Sequence, residues 1–350
     1  MTIPEIAKKA GVSIATVDRV LHKRGRVSDK TIKKIQEIID TYGYEPNPFA
    51  RNLKLNRRYL IGILVPNPQT RSVHGYWEDI CNGCMDAKKE FNSDAVQLVF
   101  QFYENTIAGS LLESGKKLIA KQVDGIVLSP LLSDEATELI ALLGSTPYAI
   151  IDAILPGAKP IIDTTQNPYL AGLTAGRMLQ MIHPNCRRIL SLWGWSTSCS
   201  LVEKKRGFND AFGKEIENLQ LVLDEKKPME PYIFDYLKTH APVDGVFVLH
   251  SQSELLVRAL DKLNPKKRPT IVGFDTTPLN IRLLEEGKID CLISQDPYQQ
   301  GYDAVKKMCL FVIYKNTKFE EQHAPVRIII KENLKSYSFP NSILNKEDFQ

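Results

Sequence analysis

The sequence predicts an α/β chain in three parts: a three-helix helix-turn-helix headpiece, a short linker, and a two-lobed body built on doubly wound parallel sheets. Three observations carry this. The first 42 residues hold three short amphipathic stretches, separated by a Gly turn and a Ser cap. From Tyr59 onward, continuous apolar runs of strand length alternate with helical patterns. Charge divides the same way: residues 1–58 carry 13 Lys/Arg against 6 Asp/Glu, while the 350-residue chain is only +4. A basic headpiece on a mildly acidic body suits a module that faces phosphates.

In the headpiece, helix 1 runs from Pro4 to Ala10 and offers Ile6, Ala7 and Ala10 to a core. Gly11-Val12 turns the chain and Ser13 caps helix 2, residues 14–21. Val17, Val20 and Leu21 fall at i, i+3 and i+4 and can be buried, which leaves Ile14, Ala15, Asp18, Arg19 and His22 outside. A third helix opens at Ser28, carries Ile32, Ile35, Ile38, Ile39 and Tyr42, and stops at Gly43. This spacing predicts that residues 14–21 form a recognition helix for a DNA groove. Residues 46–57 are basic with apolar spots and read as a linker.

In the body, residues 60–65 form an apolar run of parallel-strand type. Helix about 74–91, strand 96–102, helix about 108–121, strand 125–128, helix about 133–143 and strand 148–151 follow. The pattern restarts with a helix near 169–182 and strands at 188–192, 219–223, 245–249 and 270–274. Ten or so strands are too many for one compact sheet of this type, so two lobes are expected. An internal echo agrees: Gln166-Asn167-Pro168-Tyr169-x-x-Gly172 recurs as Gln295-Asp296-Pro297-Tyr298-x-x-Gly301, each after a short strand and with N-cap and N1 chemistry for a helix. Polar residues sit at the carboxyl ends of several strands: Asn67, Asp152, His250, Asp275 and Gln295, with Tyr76-Trp77 at a helix start. In open α/β sheets those ends line the binding crevice.

Several motifs match at intact spacing over about fifty residues: residues 4–13, Ala15-Thr16-Val17-x-Arg19-Val20-Leu21, Val27-Ser28-x-Lys30-Thr31, Gly43-Tyr44-x-Pro46-Asn47 and Ala50-Arg51-x-Leu53. On these the chain resembles the lactose-repressor (LacI/GalR) family, and the alternating body extends the resemblance to a periplasmic sugar-binding-protein fold. The resemblance implies a helix-turn-helix domain at 1–45, a hinge helix at 46–58 and an effector domain at 59–350. Its N-lobe would be about 59–162 with 295–322, and its C-lobe about 163–294 with 323–350, with crossovers near 160–166, 290–296 and 320–326. Ser13, Ile14, Ala15, Thr16, Asp18, Arg19 and His22 would meet DNA in the major groove. In the hinge, Ala50 would face the minor groove, Leu53 would wedge into a base step and bend the duplex, and Arg51 would also bind DNA. Asp18 stands where the family usually has Ser.

Carried to the effector domain, the resemblance makes Tyr76 and Trp77 an aromatic pair that stacks on a sugar ring and Phe274 an aromatic wall. It makes Asp152, Asp275 and Gln295 binders of hydroxyls, since carboxylates and amides can form two parallel hydrogen bonds to vicinal hydroxyls. Two positions depart: His250 stands where Asn is common, and Lys204, a point charge rather than a planar fork, stands where a ligand-clamping Arg is common. Trp193 and Trp195 either line the cleft or pack.

The resulting expectation is a homodimeric, ligand-responsive transcriptional regulator, a repressor, on pseudo-palindromic operator DNA, with a sugar or sugar relative as effector. The tail from 331 lacks apolar heptads, so no tetramerising coiled coil is expected. No apolar run spans a membrane and no signal peptide precedes the first helix, so the expected location is the cytoplasm. Six cysteines are then reduced, and the lone Cys81-x-x-Cys84 lacks further ligands at zinc spacing, so neither metal nor cofactor is expected. The alternatives are an α/β enzyme acting on a sugar or nucleotide and a ligand-independent architectural DNA binder. The absence of G-x-G-x-x-G after a strand and of a Walker motif weighs against the first. The dense polar strand ends weigh against the second.

Overall fold

The computed structural model describes residues 1–21, 24–42, 57–69, 75–91, 95–193, 198–212, 216–223, 228–240, 242–317, 319 and 323–337. The chain divides into two compact units, Met1–Arg57 and Arg58–Gln350.

The first unit is three helices, α1 (Ile3–Ala10), α2 (Ile14–Leu21) and α3 (Asp29–Tyr42). Glu5 accepts from the Thr2 amide at 2.8 Å and caps the start of α1. Gly11, in the left-handed region at φ 69°, closes it. The Ser13 hydroxyl accepts from the Thr16 amide at 3.1 Å and caps α2. Ile6, Ala7, Ala10, Val17 and Ile35 form the core, with Val20, Leu21, Ile38 and Ile39 packed at its edge. Ile32 and Tyr42 point outward instead, 39% and 51% exposed. Of α3, Ile35 alone is fully buried in so small a core.

The second unit holds two sheets. The first contains β1 (Tyr59–Pro66), β2 (Val96–Tyr103), β3 (Gly125–Leu128), β4 (Tyr148–Ile150) and β5 (Ile162–Asp163), in the order β2-β1-β3-β4-β5. The second contains β6 (Arg188–Trp193), β7 (Glu217–Val222), β8 (Gly245–Val248), β9 (Thr270–Phe274), β10 (Cys291–Ser294) and β11 (Arg327–Ile329), in the order β11-β10-β9-β8-β6-β7. Read from the β7 edge, the second repeats the order of the first and adds β11, which is antiparallel to β10 where every other pairing is parallel. β1, whose residues are nearly all buried, reads as a continuous apolar run because helices cover both faces of such a sheet.

The first lobe carries α4 (Tyr76–Lys89), α5 (Ser110–Ala120) and α6 (Ser133–Leu142). The second carries α7 (Pro168–Ile182), α8 (Cys199–Phe212), α9 (Met229–His240), α10 (Ser253–Leu263) and α11 (Pro278–Glu285). The last helix, α12 (Pro297–Tyr314), returns to the first lobe and packs on α4.

The sequence echo is a structural repeat. On α7 and α8, a Cβ at Gly172 would lie 1.8 Å from the Lys204 carbonyl oxygen, and one at Gly207 would lie 2.0 Å from that of Tyr169. On α12 and α4, a Cβ at Gly301 would lie 2.3 Å from the Ile80 oxygen, and one at Gly83 would lie 2.0 Å from that of Tyr298. Each lobe thus docks its strand-to-helix corner through a reciprocal pair of glycines. Gln166 ties the connections between lobes: its amide donates to the carbonyls of Ser294 at 2.9 Å and Pro325 at 2.8 Å.

Candidate functional site

Strand ends of the two sheets meet in one hydrogen-bonded cluster. Asp152, just past β4, and Asp275, just past β9, occupy equivalent fourth strands, and both lie in the left-handed region, at φ 66° and 67°. Asp tolerates this conformation better than most residues, and a reversal there swings the chain away from the sheet. Asn280, fully buried on α11, fixes the second corner: its amide reaches the carbonyls of Ser251, Phe274 and Asp275.

In the first lobe, the Tyr76 hydroxyl donates to Asp152 Oδ1 at 2.7 Å and the Ser129 hydroxyl donates to Oδ2 at 3.0 Å. In the second, Lys204 Nζ donates to Gln295 Oε1 at 2.9 Å, and Gln295 Nε2 donates to Asp275 Oδ1 at 2.8 Å. Gln300 joins the halves, accepting from the Asp152 amide at 2.7 Å and donating to the Gln295 carbonyl at 2.8 Å. A continuous hydrogen-bond chain therefore runs from Asp152 through Gln300 and Gln295 to Asp275.

Burial raises the Asp275 pKa to about 6, against the pull of Lys204 and the Gln295 amide. It raises Asp152 also, offset by Tyr76, Lys204 and Ser129. Burial lowers the Lys204 pKa, and both aspartates oppose that shift. One cation thus serves a carboxylate from each lobe. Lys204 Nζ also lies 4.3 Å from the centroid of the Phe274 ring. Desolvation alone takes His250 down to about 4. Its Nδ1 accepts from the Gln252 amide at 3.1 Å, which leaves the ring proton on Nε2, a buried donor without a partner among the described residues.

The structure joins Tyr76, Asp152, Lys204, Phe274, Asp275 and Gln295 and modifies several roles. Tyr76 and Trp77 are 4% and 5% exposed and meet edge to face at 5.0 Å, so the pair packs in the lobe and Tyr76 positions Asp152. Phe274 has no exposed surface, belongs to the second lobe's core and has Lys204 against its ring, so it is not an open wall. Asn67 stays outside the cluster: its amide donates to Glu104 at 2.8 Å and its oxygen accepts from the Gln69 amide at 3.0 Å. Trp193 is buried beneath the Lys205 ammonium, 3.6 Å from its centroid, and Trp195 lies outside the described residues. Ser129 and Gln300 were missed. Ser129 follows β3 and the strand-end rule covers it. Gln300 lies inside a helix, and nothing local marks it.

On the headpiece, Ile14, Ala15 and Arg19 are exposed, Asp18 and Thr16 are half-buried, and Ser13 serves as the helix cap. His22, Ala50, Arg51 and Leu53 lie outside the described residues.

Two family models match the chain. Bacterial regulatory proteins of the lacI family match residues 2–47, and the periplasmic binding protein domain matches residues 65–313. By its body the chain belongs to the periplasmic binding protein domain family, and its N-terminal residues carry a lacI-type DNA-binding domain. Among its relatives, the ribose operon repressor of Halalkalibacterium halodurans is 24% identical, covering 95% of this chain and 97% of that one. The sucrose operon repressor of Streptococcus mutans is 28% identical over 79% of this chain and 82% of that one. Among solved structures, a glucose-galactose binding protein from Geobacillus stearothermophilus superposes with a TM-score of 0.68 at 25% identity, covering 79% of this chain and 99% of that one. A lacI-family regulator binds operator DNA through its headpiece. Among the described residues, no helix is long and apolar enough to cross a membrane, and no group of three or more His, Cys, Asp or Glu could hold a metal.

Proposed function

We propose that the chain is a cytoplasmic, homodimeric operon repressor that senses a neutral sugar or polyol between its lobes without turning it over. In this reading residues 1–45 form the DNA-binding domain, 46–58 the hinge and 59–350 the effector domain, with lobes exchanging at the crossovers expected from the sequence. The observation that carries the reading is the pair of aspartates at equivalent corners of opposite lobes, linked to one lysine. A polyol hydroxyl donates to a carboxylate and accepts from an ammonium, so one ligand can satisfy groups from both lobes. The cluster holds two carboxylates and one cation, which favours a neutral ligand over an anionic one. That two relatives are repressors of a ribose and a sucrose operon supports this substrate class. His250, neutral near pH 7, offers its Nε2 proton to a ligand oxygen.

A ligand that grips both lobes stabilises one lobe arrangement over the other, and differential affinity of this kind is what coupling to the operator requires. The test is calorimetry of the full-length protein against pentoses, hexoses and inositols, paired with an operator gel shift. The reading expects at least one neutral polyol to bind and to change operator affinity. A protein that binds operator but answers only to anionic compounds overturns it.

A further inference from the structure

A cavity of about 320 Å³ adjoins the aspartate cluster without sharing a residue with it, its wall holding Thr276 and Ser294, the chain neighbours of Asp275 and Gln295. It opens between Asp79 on α4 and the start of α12 on the first lobe's side, and Thr276, Ser294, Arg327 and Tyr337 on the second's. Its charges do not balance. Arg327 pairs with Asp296 at 2.8 Å, but no described residue gives the Asp79 carboxyl a hydrogen bond or an ion pair. Polar side chains line the same cavity. Ser294 accepts from the Asp296 amide and keeps its own proton, and Gln299 gives its amide to Asp303 and keeps its oxygen.

We propose that this cavity is a second small-molecule site for a small hydroxylated primary ammonium compound. Its cation pairs with Asp79, and its hydroxyls meet Thr276, Ser294 and Gln299. A partly buried carboxylate without a donor is costly, and an ammonium ion supplies both the charge and the hydrogen bonds it lacks. A metal ion fits less well, because the described residues gather no three ligating groups. The occupant touches both lobes, so it biases the same lobe equilibrium as the cleft ligand and acts as a second effector. Burial and the neighbouring Glu78 hold the Asp79 pKa at about 7. Tyr298, Asp296, Arg327 and Tyr337 are the other titratable or charged groups on the cavity wall. Binding therefore strengthens from pH 6 to pH 8, as Asp79 ionises.

The test uses 2-amino-1,3-propanediol and, as its neutral isostere, glycerol, each titrated into the full-length protein by calorimetry at pH 8 and pH 6. The amine is expected to bind at pH 8 and more weakly at pH 6, and glycerol is expected not to bind. Asp79→Asn should weaken the amine about 10-fold or more, with a thermal midpoint at or above that of the parent. Thr276→Val should weaken it a few-fold, and sugar binding should persist in both variants. Equal binding of amine and glycerol, no amine binding at pH 8, or unchanged binding in Asp79→Asn overturns the proposal. Because the sugar titration is read separately, this site can fail while the cleft reading stands.

Discussion

Asp152 and Asp275 sit at the same place in two sheets of the same strand order, with nearly the same left-handed backbone, yet their surroundings differ. Two neutral hydroxyls hold Asp152, those of Tyr76 and Ser129. Asp275 is 5% exposed and is reached by an amide that a buried lysine orients, its own loop being pinned by Asn280. Repetition of the fold gave both lobes the same corner, and divergence of the neighbours gave the corners different electrostatics. The first corner holds its acid directly by two neutral hydroxyls, with Lys204 acting on it only through its charge. The second is a charge-compensated one whose acid is held by Lys204, so substitutions at the two corners should not be equivalent.

The largest effect should come from breaking what the lobes share. Gly207→Ala places a methyl 2.0 Å from the Tyr169 oxygen, and Gly301→Ala places one 2.3 Å from that of Ile80. Backbone cannot give way as a side-chain tip can. Each variant is therefore expected to lose about 3 kcal/mol or more, beyond the helix propensity that Ala restores. Thermal melts check this, and an unchanged midpoint in either variant would show that the two dockings are not alike.

Next in size is the second corner. Lys204→Met removes the cation that serves both aspartates, and a buried carboxylate left without its partner costs about 1–3 kcal/mol or more. Effector affinity should fall by one to two orders of magnitude, and the pKa of Asp275 should climb further above about 6. Ser129→Ala at the first corner removes one neutral hydrogen bond, expected to be worth about 0.5–1.5 kcal/mol. Calorimetry of both variants with the same effector sharpens the contrast, and equal losses would erase it.

Much of this arrangement is legible in the sequence. Strands such as β1 announce themselves as unbroken apolar runs, and Asp152 and Asp275 appear as acids at the ends of such runs. The short β5 and β11 do not, because two or three residues carry no period. Gln300 and Gln166 are illegible for another reason. Each is an amide bonded to backbone far away in the chain, Gln300 to Asp152 and Gln166 to Pro325, and no local pattern distinguishes a buried amide from a solvated one. Roles were also harder to read than positions. Tyr76 and Phe274 belong to the cluster, but as supports for Asp152 and Lys204.

The smallest effects concern pH. Burial raises the folded-state pKa of Asp79 from 3.8 to about 7, so the folded protein binds more protons than the unfolded chain in that window. Its contribution is fully present below pH 4 and is lost as pH rises through 7. Asp79→Asn should therefore raise the thermal midpoint by a few degrees at pH 8, on the order of 1 kcal/mol after solvent screening, and hardly at all at pH 4. His250 runs the other way: its folded pKa is lowered from 6.5 to about 4, so its contribution is present above pH 6.5 and fades as pH falls through 4. His250→Gln should flatten the acid side of the stability profile, and melts at half-unit pH steps separate the two.

The central claim is that one ligand gripped from both lobes governs operator binding. Its most direct test is fluorescence anisotropy of labelled operator, titrated with the effector that calorimetry identifies, for the parent protein and Asp275→Ala. The account predicts equal operator affinity without effector. It predicts that the variant needs about 10- to 100-fold more effector for the same response, the loss of a buried charge-assisted hydrogen bond. An unchanged effector response in Asp275→Ala, or loss of operator binding before any effector is added, would contradict it.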